Sequence, residues 1–130
     1  SSMGAFAALR AAQTLPITAV LAISPQYHPA AKWETRWRHW TQSLPETLTA
    51  PLPQGPYLCL MHGLQDDARQ AQLFPPQRGC DHIVFADQSH ATLAPHLKAR
   101  GLLQGLIDAT LAQDRRRLLR ILQGAGGKRL

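Results

Sequence analysis

Cysteine is scarce, with only Cys59 and Cys80 in 130 residues, so a disulfide-stapled scaffold is not expected. No apolar run approaches the roughly 18 residues that a membrane-spanning helix needs, so no membrane span is expected. Neither His-x-x-x-His nor Cys-x-x-Cys occurs; such spacings set two ligands on one metal, and no metal site is expected. Phosphate-cradling and dinucleotide fingerprints are also missing. The one glycine-rich stretch, Gly124-Ala125-Gly126-Gly127, follows a helical pattern where a phosphate loop would open one. No cofactor is expected. No signal peptide is visible, which points to the cytoplasm. The chain opens on Ser-Ser-Met-Gly without an initiator Met, as though cut from something longer.

Carboxylates are few as well, eight against 14 Lys and Arg, for a formal net charge of +6. The deficit is local. Residues 1–114 carry eight cations and eight carboxylates, and the whole excess lies in Arg115, Arg116, Arg117, Arg120, Lys128 and Arg129. A nucleic-acid binder needs a basic face on its fold; here the charge describes a basic tail over 115–130, and no nucleic-acid partner is expected. What the chain does have is apolar content, 45% of its residues, enough for one core in one domain.

Strands and helices alternate along it. Residues 3–13 are rich in Ala and Leu and read as a helix, ended by Pro16. Ile17 to Ile23 is a short, nearly all-apolar run, the pattern of a strand buried on both faces of a parallel sheet. A stretch with Pro29, Pro45, Pro51, Pro53 and all three tryptophans follows, with a helix expected from about Ala30 to Ser43. Tyr57 to Met61 and Ile83 to Ala86 read as further buried strands, separated by a short helix over Asp67 to Phe74. From Pro95 to about Gln123, Leu97, Leu102, Leu103, Leu106, Ile107 and Leu111 recur at helical spacing, which predicts one long helix. The alternation predicts an α/β fold, a parallel sheet with flanking helices. Three strands leave long edges exposed, so part of the sheet is expected to come from elsewhere.

Ser1-Ser2-Met3-Gly4, opening a small-residue helix, resembles the nucleophile elbow Gly-x-Ser-x-Gly of the α/β-hydrolase family without its first Gly. The order of later residues strengthens the resemblance. His62-Gly63-Leu64-Gln65-Asp66, after the second strand, is similar to the family's loop bearing the triad acid. Asp87-Gln88-Ser89-His90-Ala91, after the third, is similar to the loop bearing its catalytic His. The resemblance covers residues 1–114. It implies a partial α/β-hydrolase fold lacking its N-terminal strands, and a serine hydrolase that cleaves a small-molecule ester or thioester through an acyl-enzyme. Ser2 is then the nucleophile, His90 the base and Asp66 the acid. Asp67 is the alternative acid, otherwise a helix cap. The backbone N–H of Met3 is one oxyanion donor. The second comes in this family from a loop that this chain does not contain, so the chain by itself is expected to be inactive. An acyltransferase with the same triad, and a non-catalytic binding module that kept these positions, remain open.

The chemistry needs these residue types. A serine hydroxyl is a poor nucleophile until a base takes its proton, imidazole titrates in the right range for that role, and a carboxylate on the second ring nitrogen fixes the tautomer. His62 is expected to pack behind the site, and His28, His39, His82 and His96 to lie on the surface. The 27–55 segment falls where the family inserts lids. Trp33, Trp37 and Trp40 would share one helix face, and Trp33 and Trp37 become pocket candidates. Arg36 and Arg38 lie off that face, free for an anionic substrate or for water. Gln26, in the turn after the first strand, sits at the sheet edge where ligands bind in such folds.

Overall fold

The computed structural model describes residues 1–130. Its centre is β2 (Tyr57–Gly63), whose Leu58 and Leu60 side chains belong to one core cluster while Cys59 and Met61 belong to another, all four with no exposed surface. Alternate residues of a strand face opposite sides, so a continuous apolar run signals layers on both. β1 (Ala19–Ile23) pairs parallel with β2, Ala22 opposite Leu60, and β2 pairs parallel with β3 (Cys80–Phe85), Met61 opposite Ile83.

The sheet is not purely parallel. A two-residue strand β4 (Lys128–Arg129) pairs antiparallel with the outer edge of β3, giving the order β1-β2-β3-β4. The fold is thus an α/β sandwich around an open, mixed four-stranded sheet. The fourth strand supplies partners to an edge that would otherwise be left unpaired. It also draws residues 115–130 into the fold. The expected tail is helix α6 (Arg115–Gly124) followed by β4, with Leu118 and Leu122 fully buried.

One face of the sheet is covered by α1 (Met3–Ala11), through Ala5, Phe6 and Leu9, together with Ala50, Leu52 and Phe74. The other is covered by α4 (His90–Ala99), α5 (Leu103–Leu111) and α6, through Leu93, Leu97, Leu106, Leu118 and Leu122. Each such side chain stabilises the fold by roughly 1.5–3 kcal/mol relative to exposure.

The single long helix expected over 95–123 is three helices. Each ends in the same way, with a left-handed residue just past the cap: Gly101 (φ 68°), Gln113 (φ 53°) and Gly126 (φ 95°). The next amide then reaches back to the helix, Leu102 N–H to Leu97 O (3.0 Å), Asp114 N–H to Ala109 O (2.8 Å) and Gly127 N–H to Leu122 O (2.9 Å). This is the Schellman arrangement, which satisfies terminal carbonyls and turns the chain. The apolar spacing continues through the breaks because all three helices press on one sheet face.

The helix expected over Ala30–Ser43 shrinks to α2 (Arg38–Thr41). The rest of 27–55 is turns, anchored by buried Ala31, Glu34, Thr41, Ala50 and Leu52. No helix is long and apolar enough to cross a membrane.

Candidate active site

Three chain segments meet at the carboxyl ends of the parallel strands. Ser2 is held there by its N–H, which donates to Ile23 O at the end of β1 (2.8 Å). Its backbone is strained, with φ 54° and ψ −131°, a conformation that costs an L-residue energy and clusters at functional positions. His90 opens α4. Ser89 before it caps the helix, accepting from Thr92 N–H, while Ser89 N–H donates to Thr92 Oγ1. This reciprocal cap fixes where the His90 side chain leaves the backbone.

β2 runs to Gly63 and α3 (Leu64–Leu73) starts at once. Gly63 permits this: a Cβ there would sit 2.5 Å from Gln88 O and 2.7 Å from Ser89 O. The β3–α4 loop can therefore press against the end of β2, and Gln65 N–H donates to Gln88 O (3.0 Å).

Ser2 and His90 come together as expected. The Ser2 hydroxyl lies 2.8 Å from His90 Nε2. The carboxylate on the other nitrogen is Asp67, its Oδ2 2.7 Å from His90 Nδ1. Asp66, the expected acid, accepts instead from the backbone N–H of His90 (2.5 Å). The reason is helical phase. The expectation put a loop before Asp66 and a helix from Asp67; with the helix beginning at Leu64, Asp67 turns inward and is completely buried while the Asp66 side chain stays 39% exposed. Because Asp67 can only accept, His90 Nδ1 carries the proton and Nε2 is left bare to accept from the Ser2 hydroxyl.

Asp67 is held tightly. Its Oδ1 accepts from Arg36 Nη2 (2.8 Å) and from Gln26 Nε2 (3.4 Å). Burial alone would raise its carboxyl, but the hydrogen bond and charge of His90, then those of Arg36, outweigh it and hold Asp67 below its ordinary value. Arg36 also grips buried Glu34, Nε to Oε1 at 2.9 Å and Nη2 to Oε2 at 2.7 Å, and lies 3.4 Å from Asp66. Burial would likewise raise Glu34, and the Arg36 and Gln70 hydrogen bonds bring it below its ordinary value. Arg36 therefore meets neither an anionic substrate nor water alone; its partners are the carboxylates around the candidate triad.

Gln26 is at the site but wholly buried, so it lines no pocket. Its Oε1 accepts from Trp37 Nε1 (3.1 Å), which orients the amide with Nε2 toward Asp67 and 3.2 Å from His90 Nδ1. Trp37 lies against the imidazole, ring centroids 4.9 Å apart. Trp33 does not join it. Without a helix through 30–43 the tryptophans diverge: Trp33 stacks under Arg69 (4.1 Å) and Trp40 is 74% exposed. The Met3 N–H belongs to the first turn of α1, whose amides lack helical acceptors, and no carbonyl takes it.

Behind the site His62 is completely buried, with Nε2 donating to Pro25 O (2.8 Å) and Nδ1 2.7 Å from His82 Nε2. The expected surface position of His82 is half wrong: one ring nitrogen is tied inward to His62. Burial pushes His62 down to about 4 and His82 down to about 3.

Glu34 and Gln70 were invisible to sequence reasoning. Gln70 Oε1 accepts from both Tyr27 N–H and His28 N–H at 3.0 Å, and its Nε2 donates to Glu34 Oε2 at 3.1 Å. For Gln70 the signal was weak, a polar residue on the inward face of helix α3; Glu34, in a turn, gave none. No group of three or more His, Cys, Asp or Glu side chains is arranged to ligate a metal. None of the surface concavities is lined by Ser2 or His90, and the His90 side chain is 10% exposed. Comparison of the chain with protein families, curated proteins and solved structures finds no match.

Proposed function

We propose that this chain carries the catalytic residues of a serine hydrolase of the α/β-hydrolase type, cleaving an ester or thioester through an acyl-enzyme. The observation that carries the reading is the unbroken run from the Ser2 hydroxyl through His90 to buried Asp67, with contacts of 2.8 and 2.7 Å. The strained backbone of Ser2 at the start of a helix supports it, as a nucleophile elbow is strained in the same place. Asp67 takes the role of acid.

In this mechanism Ser2 Oγ attacks the acyl carbonyl as His90 Nε2 takes its proton. The carbonyl oxygen becomes an oxyanion facing the Met3 N–H and the positive end of α1. Collapse breaks the bond to the alcohol or thiol, which leaves with the proton from His90. Water, deprotonated by His90, then attacks the acyl-serine; the carboxylic acid departs and the proton returns to Ser2. Asp67 stabilises the imidazolium in both halves.

Fluorophosphonate labelling of the full-length native protein tests this. Labelling is expected at Ser2, is abolished by Ser2→Ala, and slows by up to about 10⁴-fold in Asp67→Asn, which favours the wrong tautomer. Asp66→Asn, which keeps an acceptor for the His90 amide, should label within about tenfold of the wild type. A folded protein that takes no label while a control hydrolase does would overturn the reading.

A further inference from the structure

We infer that Arg36 is a positioning residue for the candidate triad: its single guanidinium lets two buried carboxylates, Asp67 and Glu34, remain ionised side by side, and so keeps Asp67 an acceptor for His90. This rests on the hydrolase reading for its catalytic consequence and on geometry alone for its electrostatic one.

Both carboxylates accept from the same Arg36 Nη2, Asp67 Oδ1 at 2.8 Å and Glu34 Oε2 at 2.7 Å. Asp67 has no exposed side-chain surface and Glu34 has 3%. Two desolvated carboxylates at this separation repel, and without a cation one of them takes up a proton. The guanidinium is suited to the place because it is planar, stays charged and presents a fork of donors. A lysine has one charged nitrogen and cannot donate to Glu34 Oε1, Glu34 Oε2 and Asp67 in this geometry.

The remaining groups around Asp67 do not replace it. From α4 the neighbour is His90, the group being served. From α3 it is Asp66, a further anion, 3.4 Å from Arg36. From β2 it is His62, whose Nε2–H is committed to Pro25 O. From the turn after β1 it is the uncharged amide of Gln26. Arg36 is thus the one permanent cation among three carboxylates. Both its principal partners lie below their ordinary values despite burial, in line with this role.

The test compares wild type, Arg36→Met, Arg36→Lys and the double variant Glu34→Gln/Arg36→Met in the full-length protein. The first readout is infrared: Arg36→Met is expected to show the band of a protonated buried carboxylic acid at neutral pH, absent from wild type and lost again in the double variant. The second is the pH dependence of kcat/KM or of fluorophosphonate labelling. The acid limb should rise by roughly one to three pH units in Arg36→Met, by less in Arg36→Lys, and return most of the way in the double variant. Restoration by removing a second residue is not what a merely structural role would give. Should Arg36→Met fail to fold, a folded double variant with its limb near wild type supports the inference, and an unfolded one overturns it. No protonated carboxylic acid in a folded Arg36→Met, or a limb that stays in place while activity drops equally at all pH values, also overturns it. If the wild type neither labels nor turns over substrate, the hydrolase reading fails while the infrared band still decides the electrostatics.

Discussion

Mild acid should loosen this fold through His62. Its Nε2 faces a carbonyl oxygen, Pro25 O, and must carry the proton. Nδ1 is therefore bare and accepts from His82 Nε2–H at 2.7 Å. A proton added to His62 would lie against that N–H, in a site with no exposed surface. This is why the group is pushed down to about 4, with burial the main cause. An unfolded histidine titrates near 6.5. The folded form thus gains stability that is fully present above pH 6.5 and is lost as pH falls toward 4. Linkage puts the share of His62 at about 2 kcal/mol between pH 7 and pH 5, and about 3 kcal/mol by pH 4; its neighbour His82, pushed down to about 3, adds a loss of its own in both proteins compared. The buried carboxylates Asp67, Glu34 and Asp81 are held below their ordinary values, so their own losses come at lower pH and leave the window between 7 and 5 to histidine. Urea unfolding at pH 7, 6 and 5 measures the effect, with His62→Gln as the non-titrating comparison. Glutamine keeps a donor for Pro25 O and an acceptor for His82. The variant is expected to be less stable at pH 7 but flatter by about 2 kcal/mol between pH 7 and 5. Parallel pH profiles for the two proteins would refute the reasoning.

Gly63→Ala is expected to cost at least about 2 kcal/mol by overpacking, because the added Cβ would meet the Gln88 and Ser89 backbone at 2.5 to 2.7 Å. Since that loop carries His90, fluorophosphonate labelling should fall with it; unchanged urea midpoint and labelling would contradict the packing. Asp81→Asn removes the charge that binds the Tyr57 hydroxyl (2.9 Å), Arg115 (2.6 Å) and Arg129. Both arginines are more than half exposed, so screening limits the loss to about 1–2 kcal/mol. Calorimetry should show Tm lower by roughly 5 °C, and a fall under about 1 °C would mean that β4 is held by other contacts.

Much of this architecture was legible in the sequence because strands buried on both faces leave an unmistakable run. Ile17 to Ile23 and Tyr57 to Met61 overlap β1 and β2, and the residues just beyond strand ends brought Ser2 and His90 together. What failed did so where one residue of helical phase decides the outcome. Asp66 and Asp67 are chemically identical; only the immediate start of α3 after Gly63 selects the inward one. The tryptophan spacing over 33–40 fits a helix, but the prolines around it and the pull of buried Glu34 toward Arg36 and Gln70 favour turns. The two Schellman breaks inside 95–123 escape a reading based on apolar period, since Gln113 gives no glycine signal and Gly101 lies inside a run that keeps its spacing; the third turn, at Gly126, falls in the glycine-rich stretch that follows the helical pattern. β4 is two residues long, too short for any periodicity, and is placed by the close approach of Gly127 to Ile83.

Gln70 has a consequence for how this sequence can drift. One amide closes four separate obligations: Tyr27 N–H, His28 N–H, His28 O and Glu34 Oε2. Oxygen and nitrogen cannot exchange places there, so neither Glu nor Leu is a neighbouring solution: Leu leaves the Tyr27 and His28 amides without their acceptor, and Glu sets an acceptor against His28 O and the Glu34 carboxylate. The two ends of the segment therefore evolve under different rules. Residues 26–37 form an epistatic block with α3, in which Gln26, Glu34, Arg36 and Trp37 can change only in concert with Asp67 and Gln70. The exposed stretch around Arg38 to Gln42, joined to the block by Thr41 Oγ1 to Trp37 O and by Arg38 to Lys32 O, carries fewer such obligations and has more room to vary. New surface chemistry can arise from that stretch while the acid behind His90 stays where it is.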